Sequence, residues 1–171
     1  MELAAPVEAT TIDLKIEPVT TAGFAPYGTL VERTWDGKPF GPDEAQLVVN
    51  RGTPRFYIME LKHREMAFRH ITRHLAVTQC LAAVGGREWV IAVAPPDQPD
   101  NPAGKPDIAK LRAFRIGGDQ AIMLGRGTWH AGPFFEAPEV AFFNLELADT
   151  NVVDHHNSLL DREFGVRYRF V

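Results

Sequence analysis

Residues 70–79 read His-Ile-Thr-Arg-His-Leu-Ala-Val-Thr-Gln, and six further residues separate Gln79 from Gly86. In an extended chain alternate side chains share one face, so Thr72 and His74 are expected to point the same way. The segment therefore predicts a β-strand that carries polar side chains on one of its faces.

A second segment, 125–130, reads Gly-Arg-Gly-Thr-Trp-His. Its glycines predict a tight turn that places His130 at the start of a strand and aims it into a barrel. Much of the remaining chain consists of short apolar or β-branched runs between glycine and proline turns, which is typical of an antiparallel sandwich or barrel. The predicted strands are 56–61, 75–84, 89–94, 111–116, 121–124 and 140–147, with an edge strand in the last residues and a short helix at 22–27.

The two segments resemble the two sequence motifs of the cupins. His74 matches the second histidine of the first motif, Gln79 stands at its glutamate, and Gly86 matches its glycine. His130 matches the histidine of the second motif, whereas Thr72 stands where the first histidine belongs. The resemblance implies a mainly β fold, a cupin-like (RmlC-like jelly-roll) antiparallel β-barrel with few short helices.

The same correspondence makes His74, Gln79 and His130 candidate ligands of a divalent metal, with nickel or zinc the most plausible ions. Two imidazoles and a neutral amide would hold such an ion more weakly than three imidazoles and a carboxylate, because the amide brings no charge. His70 or Glu146 could complete the ligand set. From the sequence, the presence of a metal stays open.

The composition is that of one globular domain. The chain has 171 residues, of which 45% are hydrophobic and 23% are charged, and this size suits a single core. We expect a loose N-terminal lead-in over 1–15 and a single cupin-like barrel domain over 16–171. The proline-rich stretch 95–106 is expected to be a surface loop inside that domain, because proline removes main-chain donors from a sheet.

Charge and hydropathy limit the partners. The formal net charge of −4 provides no basic field for a phosphate backbone, so we expect no nucleic-acid partner. No apolar stretch approaches the roughly 18–20 residues that span a bilayer, and the first residues do not read as a signal peptide. The single cysteine, Cys80, cannot form an internal disulfide, which suits a reducing compartment. We therefore expect a cytoplasmic protein without a membrane partner.

Further residues extend the resemblance to one family, the ureidoglycolate lyases of purine (allantoin) catabolism, which have a cupin-like fold. The resemblance covers roughly residues 16–155, and its pieces follow the family's order at near-identical spacing. They are Pro18, Phe24, Tyr27 and Gly28; Val49-Asn50-Arg51-Gly52 with Arg55 and Tyr57; Arg73-His74 with Thr78-Gln79; and Leu111-Arg112-Ala113-Phe114, Gly118, Gln120 and Trp129-His130.

The resemblance implies a homodimeric carbon–nitrogen lyase that splits (S)-ureidoglycolate, a small carboxylate, into glyoxylate and urea. Such a reaction removes the proton of the carbinol hydroxyl and protonates the leaving urea nitrogen. His74 and His130 suit proton transfer because imidazole titrates near neutral pH, and Glu146 is a candidate base. The substrate-binding candidates are Gln79, Tyr57 and Trp129, together with Arg55 or Arg112 as a clamp on the substrate carboxylate.

Four positions depart from the family pattern, namely Gly85, Gly125, Ala131 and Leu147. Since an enzyme reads its substrate through placed hydrogen-bond partners, these changes leave room for a different small hydroxy acid. Two other functions therefore stay open: a metal-dependent cupin enzyme, such as an oxygenase or isomerase, on another small carboxylate, and a cupin that binds a small carboxylate without turnover. The remaining histidines outside the motifs are expected to be solvated; they are His63, His155 and His156.

Overall fold

The computed structural model describes residues 3–171, which form fourteen strands, three short α-helices and a 3₁₀ helix at Ile108–Lys110. The strands are β1 (Thr10–Leu14), β2 (Ile16–Pro18), β3 (Gly28–Val31), β4 (Pro54–Lys62), β5 (Ala67–Phe68), β6 (His70–Arg73), β7 (Gln79–Ala83), β8 (Trp89–Ala94), β9 (Arg112–Ile116), β10 (Ala121–Leu124), β11 (Trp129–Phe134), β12 (Glu139–Leu147), β13 (His156–Leu159) and β14 (Val166–Phe170). The helices are α1 (Thr21–Phe24), α2 (Thr150–Val153) and α3 (Leu160–Glu163). In this part of the chain no helix has the length and apolar character that crossing a membrane requires.

Two largely antiparallel sheets build the domain. One has the strand order β3-β10-β7-β12-β4, and the other has the order β13-β6-β11-β8-β9-β2, in which β2 runs parallel to β9. Eight of these strands, β4 and β6 to β12, are arranged as in a jelly roll: the first, eighth, third and sixth form one sheet, and the second, seventh, fourth and fifth form the other. The expected mainly β, cupin-like jelly roll is confirmed. Among the described residues the two sheets are hydrogen-bonded separately and do not close into one continuous barrel.

Alternation along each strand builds the core between the sheets. In β12, Val140 and Phe142 are buried in the core, whereas Phe143 is exposed on the outer face. The strand Trp89–Ala94 is buried along its whole length, because Ile91 meets this core and Val90 meets a second core on the other side of its sheet. A continuous apolar run suits a strand that is covered on both faces.

The N-terminal segment is more ordered than the loose lead-in expected over 1–15. Residues 10–14 form β1, which pairs in parallel with β14 in a three-stranded sheet that also contains β5. Before this strand, the main-chain N–H of Val7 donates to the Asp161 carboxylate at 3.2 Å. The domain therefore begins earlier than residue 16, because β14 offers main-chain partners that no local sequence signal reveals. Met1 and Glu2, which also belong to the expected lead-in, lie outside the described residues.

The strand predicted over 75–84 forms only from Gln79 onward. Before that residue the chain bends, because the Asp154 carboxylate accepts hydrogen bonds from the N–H groups of Leu75 and Ala76, each at 2.8 Å. Those N–H groups are therefore not available to a sheet ladder. The bend carries the chain from β6 in one sheet to β7 in the other, so that the two motif segments can face each other across the interior.

A buried arginine holds the proline-rich loop 95–106. The guanidinium of Arg73, which is fully buried, donates to the carbonyl oxygens of Asp97 and Gln98, each at 3.2 Å, and also to that of Asn101. This loop leads from β8 to β9, which pair side by side in one sheet. Arg73 thus satisfies carbonyl groups that proline-rich chain cannot pair within a sheet.

Candidate functional site

A cavity of about 350 Å³ lies between the two jelly-roll sheets, and this volume is within the range of small-molecule sites. Strands β4, β6, β7 and β11 and the segment from α2 to β13 contribute to its wall. No aspartate or glutamate lines the cavity among the described residues. The polar lining side chains are Lys62, Arg64, His70, Thr72, His74, Gln79, His130, Asn151 and His155.

His74 presents one free ring nitrogen. Its Nδ1 lies 2.7 Å from the main-chain carbonyl oxygen of Asp154, and a carbonyl can only accept, so Nδ1 carries the hydrogen. Nε2 is then the nitrogen with a free lone pair. Burial lowers the pKa of His74 below the ordinary histidine value of 6.5, and the hydrogen bond to Asp154 partly opposes that shift. The neutral imidazole is therefore the stable form near neutral pH.

His130 faces His74 inside the cavity, with 5.2 Å between the ring centroids. Burial, and secondly the nearby His74, lower the pKa of His130 to about 3. The Nδ1 of His130 lies 3.3 Å from the carbonyl oxygen of Thr128, so this ring also directs its other nitrogen away from the main chain. The site thus contains two adjacent imidazoles that are both neutral at pH 7.

Gln79 completes this group with an acceptor. Its Nε2 donates to Asn144 Oδ1 at 3.1 Å and to Glu146 Oε2 at 3.3 Å. Its Oε1 is buried without a hydrogen-bond partner among the described residues. This oxygen is therefore an acceptor without a partner in the described part of the chain, and it belongs to a residue that lines the cavity. The structure thus brings His74, Gln79 and His130 to the wall of one cavity.

Glu146 and Tyr57 lie behind Gln79 rather than on the cavity wall, which differs from their expected roles as base and substrate contact. The Tyr57 hydroxyl donates to Glu146 Oε1 at 3.1 Å and accepts from Asn144 Nδ2 at 3.1 Å. Burial raises the pKa of Glu146. The reason for its position is that β12 brings Glu146 beside β7, where the Gln79 side chain lies between it and the cavity.

Neither arginine proposed as a carboxylate clamp lines the cavity. The guanidinium carbon of Arg55 lies 3.7 Å from the centroid of the Tyr57 ring, and Arg112 makes two hydrogen bonds of 2.9 Å to the Glu17 carboxylate. Arg112 therefore has a partner already. In both cases the sequence identifies an arginine, but it does not reveal which neighbouring side chain the guanidinium contacts.

Trp129, an expected substrate contact, also lies elsewhere. It is buried in the second core, and the guanidinium carbon of Arg73 lies 4.5 Å from its ring centroid. Since successive side chains of a strand point to opposite faces, Trp129 leaves the cavity to its neighbour His130. Its role in the structure is to support the buried Arg73.

Several polar side chains of the cavity wall are missing from the expected set, and one of them is His155. Its ring centroid lies 5.7 Å from that of His74, although its side chain is exposed as expected for a solvated histidine. The pairing of β13 with β6 brings it there, and such long-range pairing leaves no local signal in the sequence. The others are Lys62, Arg64 and Asn151, and His70, a possible further ligand from the sequence, also lines the cavity.

The donor set does not fit a resident transition metal. No three histidine, cysteine, aspartate or glutamate side chains in the described part of the chain are arranged to hold a metal ion. The third candidate ligand, Gln79, offers a neutral amide oxygen in place of a carboxylate, and the Glu146 carboxylate is engaged by Tyr57 and Gln79. Charge and donor number are therefore both lower than in a site of three imidazoles and one carboxylate.

The four departures from the family pattern have unequal positions. Ala131 lines the cavity. Gly85, with a φ of +82°, has no atom within 4 Å of where a Cβ would stand, and it lies in the turn between β7 and β8. Gly125 donates its N–H to the Tyr27 carbonyl at 3.0 Å, and Leu147 is buried; neither lines the cavity. If these four departures alter which substrate binds, the effect would therefore arise mainly from Ala131.

Fold and cavity together define a jelly-roll protein with a polar interior cavity, and sequence comparison identifies the family. A family model described as ureidoglycolate lyase matches residues 43–164, well over half of the chain. A ureidoglycolate lyase of Burkholderia mallei is 29% identical over 150 residues, which cover 76% of this chain and 79% of that protein. The ureidoglycolate lyase 1 of Rhizobium meliloti is 29% identical over 136 residues, covering 68% and 72%. The chain belongs to the ureidoglycolate lyase family, as its sequence motifs lead us to expect.

Two solved structures resemble the chain at low similarity. An oxalate decarboxylase of Bacillus subtilis has a TM-score of 0.41 and 12% identity over 65% of this chain, which spans 25% of the decarboxylase chain. The RmlC of Streptococcus suis has a TM-score of 0.36 and 10% identity, over 54% of this chain and 43% of its own. The family assignment rests on the sequence match.

The burial of neutral His130 predicts a specific sensitivity to acid. In the unfolded chain His130 binds a proton below about pH 6.5, whereas in the folded protein it does so near pH 3, so stability falls as the pH drops through this range. Between pH 7 and pH 5 this one group lowers the free energy of unfolding by about 2 kcal/mol. His130→Gln should lack that part of the pH dependence in urea unfolding measured at both pH values. Equal pH dependence in the two proteins would contradict the burial of a neutral imidazole.

Proposed function

We propose that this chain is a lyase that cleaves the carbinolamine C–N bond of (S)-ureidoglycolate, or of a closely similar small hydroxy acid, to give glyoxylate and urea. Membership of the ureidoglycolate lyase family supports the reaction class. A cavity that is lined by two cationic side chains and four imidazoles, and by no carboxylate among the described residues, supports an anionic substrate. The observation that carries the proposal is the neutral His74 with its free Nε2 in that cavity.

In the proposed reaction, Nε2 of His74 takes the proton of the carbinol hydroxyl. The electron pair of the O–H bond forms the C=O bond of glyoxylate, and the C–N bond breaks with its electron pair on the urea nitrogen. The imidazolium of His74 then gives the same proton to that nitrogen, so the reaction needs no further reactant. The Asp154 carbonyl, which accepts the Nδ1–H, stabilises the positive charge that His74 carries between the two transfers.

His130 and Gln79 position the substrate in this proposal. Because the pKa of His130 is about 3, its ring stays neutral and its Nε2 accepts a hydrogen bond from the substrate. The unpartnered Oε1 of Gln79 accepts a hydrogen bond from an N–H of the ureido group. The contacts of Gln79 Nε2 with Asn144 and Glu146 fix which way this amide faces. Glu146 thus acts through Gln79 and does not touch the substrate.

No step of the proposed reaction requires a metal ion, so the metal-dependent alternative has less support from the donor set present. The non-catalytic alternative differs from the lyase in one respect, because it predicts binding without release of glyoxylate. The free Nε2 of His74 favours the lyase, since binding alone does not need a base with one nitrogen held by the main chain.

Replacement of His74 tests the proposed reaction. We expect the purified protein to release glyoxylate and urea from (S)-ureidoglycolate, and we expect His74→Ala and His74→Gln to lower kcat/KM by about 10²- to 10⁴-fold because the base is lost. His63→Ala is the matched control. His63 has its Nδ1 2.7 Å from the Phe135 carbonyl oxygen and does not line the cavity, so its replacement should leave the rate unchanged.

Two results would contradict the proposal. The first is a wild-type protein that binds (S)-ureidoglycolate without releasing glyoxylate. The second is a His74 variant that unfolds at the wild-type temperature and retains the wild-type rate. Thermal unfolding followed by circular dichroism separates loss of the base from loss of the fold.

We also propose that the chain forms a cytoplasmic homodimer through the outer face of β4 and β12. Phe56 and Ile58 are 69% and 58% exposed there, and the Phe56 ring stacks on Phe143 with 5.9 Å between centroids. Exposed apolar side chains grouped on one sheet face are typical of an interface, and an antiparallel pair of identical faces suits two-fold symmetry. The free thiol of Cys80 is in keeping with a reducing compartment.

A charge placed on this face should separate the dimer. Ile58→Lys is expected to elute as a monomer in size-exclusion chromatography with light scattering, whereas the wild type elutes as a dimer, because burying an unpaired ammonium is unfavourable. Val171→Lys, which changes an apolar side chain of similar exposure away from this face, should remain dimeric. A wild-type monomer at micromolar concentration, or a dimeric Ile58→Lys protein, would contradict the interface.

A further inference from the structure

Arg64 is an arginine whose side chain lines the cavity. It follows β4 by two residues, and its guanidinium carbon lies 4.0 Å from the centroid of the Phe134 ring. Its Nη2 donates to the carbonyl oxygen of Pro133 at 3.4 Å, a long hydrogen bond. The ring fixes the plane of the guanidinium, while most of its N–H groups have no acceptor among the described residues.

The charge of Arg64 is not matched within the described part of the chain. No carboxylate lies within 4.0 Å of its guanidinium there, whereas Lys62, the other cation on the cavity wall, forms ion pairs with Glu60 and Glu139. The neighbouring His70 supports the same picture: burial, and secondly the charge of Arg64, lower its pKa, and its buried Nδ1 has no partner in the described residues. The guanidinium of Arg64 therefore places a positive charge on the cavity wall without a carboxylate partner among the described residues.

The position of Arg64 bears on how a substrate would be oriented within the cavity. Arg64 lies over Phe134 at one end of β11, and His130 lies at the other end of the same strand. Both residues line one cavity, so an anion held at Arg64 would lie in the same cavity as the imidazoles. A carboxylate on the carbinol carbon is the group of the proposed substrate that fits a planar fork of N–H donors.

We infer that Arg64 binds the substrate carboxylate and so orients the carbinol carbon toward His74 and His130. This inference rests on the proposed function. It assigns to Arg64 the clamp that the sequence alone leads us to expect at Arg55 or Arg112. Because the contact forms equally with the bound substrate and with the transition state, its loss should act on KM more than on kcat.

The inference is tested with Arg64→Gln, Arg64→Lys and a matched control, Arg167→Gln. Arg167 pairs with Glu65, the residue next to Arg64, at 2.8 Å, but it does not line the cavity. Its replacement therefore removes the same charge from the neighbourhood without removing the clamp. Kinetics of glyoxylate release give KM and kcat, and calorimetric titration gives the affinities for glycolate and for its uncharged amide, glycolamide.

We expect Arg64→Gln to raise KM about 10- to 100-fold with little change in kcat, and to weaken glycolate binding by a similar factor while leaving glycolamide binding unchanged. Arg64→Lys should recover part of the affinity, since it keeps the charge but loses the fork. Arg167→Gln should behave like the wild type. A merely structural role for Arg64 would change the binding of both probes alike, and that result would overturn the inference.

The glycolate-binding measurements distinguish a failure of this inference from a failure of the proposed reaction. Arg64-dependent glycolate binding by a protein that releases no glyoxylate would overturn the lyase and support the clamp. Release of glyoxylate with an unchanged KM in Arg64→Gln would support the lyase and overturn the clamp. A wild-type protein that neither binds glycolate nor turns over (S)-ureidoglycolate would overturn both.

Discussion

The hydrogen bond between His74 Nδ1 and the main-chain carbonyl of Asp154 is the contact on which the proposed chemistry depends. It fixes the tautomer of the imidazole and leaves Nε2 free within the cavity. The same residue, Asp154, accepts from the N–H groups of Leu75 and Ala76 through its side chain, so it also bends the chain between the two sheets. One aspartate therefore sets both the direction of the base and the crossing that creates the cavity wall.

The electrostatics of the cavity follow from burial. Burial disfavours the charged form of both imidazoles, and among the described residues no carboxylate lines the cavity to oppose that effect. This keeps the rings of His74 and His130 neutral at pH 7. The charge of Arg64 persists because a guanidinium does not lose its proton in this range. The cavity thus combines neutral imidazoles with two cationic side chains, a combination suited to an anionic substrate that must lose and regain a proton.

Sequence patterns predict local features of this protein well. The strand at 89–94 is predicted because a continuous apolar run suits a strand that is covered on both faces. Three residues of one cavity wall, His74, Gln79 and His130, are predicted from the motif spacing and from the turn before His130. The pattern cannot predict which residues long-range pairing adds. His155 reaches the cavity because β13 pairs with β6. Arg64 lines the cavity beside Phe134, a position that its sequence neighbours do not reveal.

The most direct measurement of the central claim is a ¹⁵N NMR spectrum of the protein labelled at histidine, with His74 assigned by comparison with His74→Gln. At pH 7 the His74 ring should be neutral, with its hydrogen on Nδ1 and a bare Nε2. A His74 ring that carries its hydrogen on Nε2, or one that is an imidazolium at pH 7, would contradict its assignment as the base.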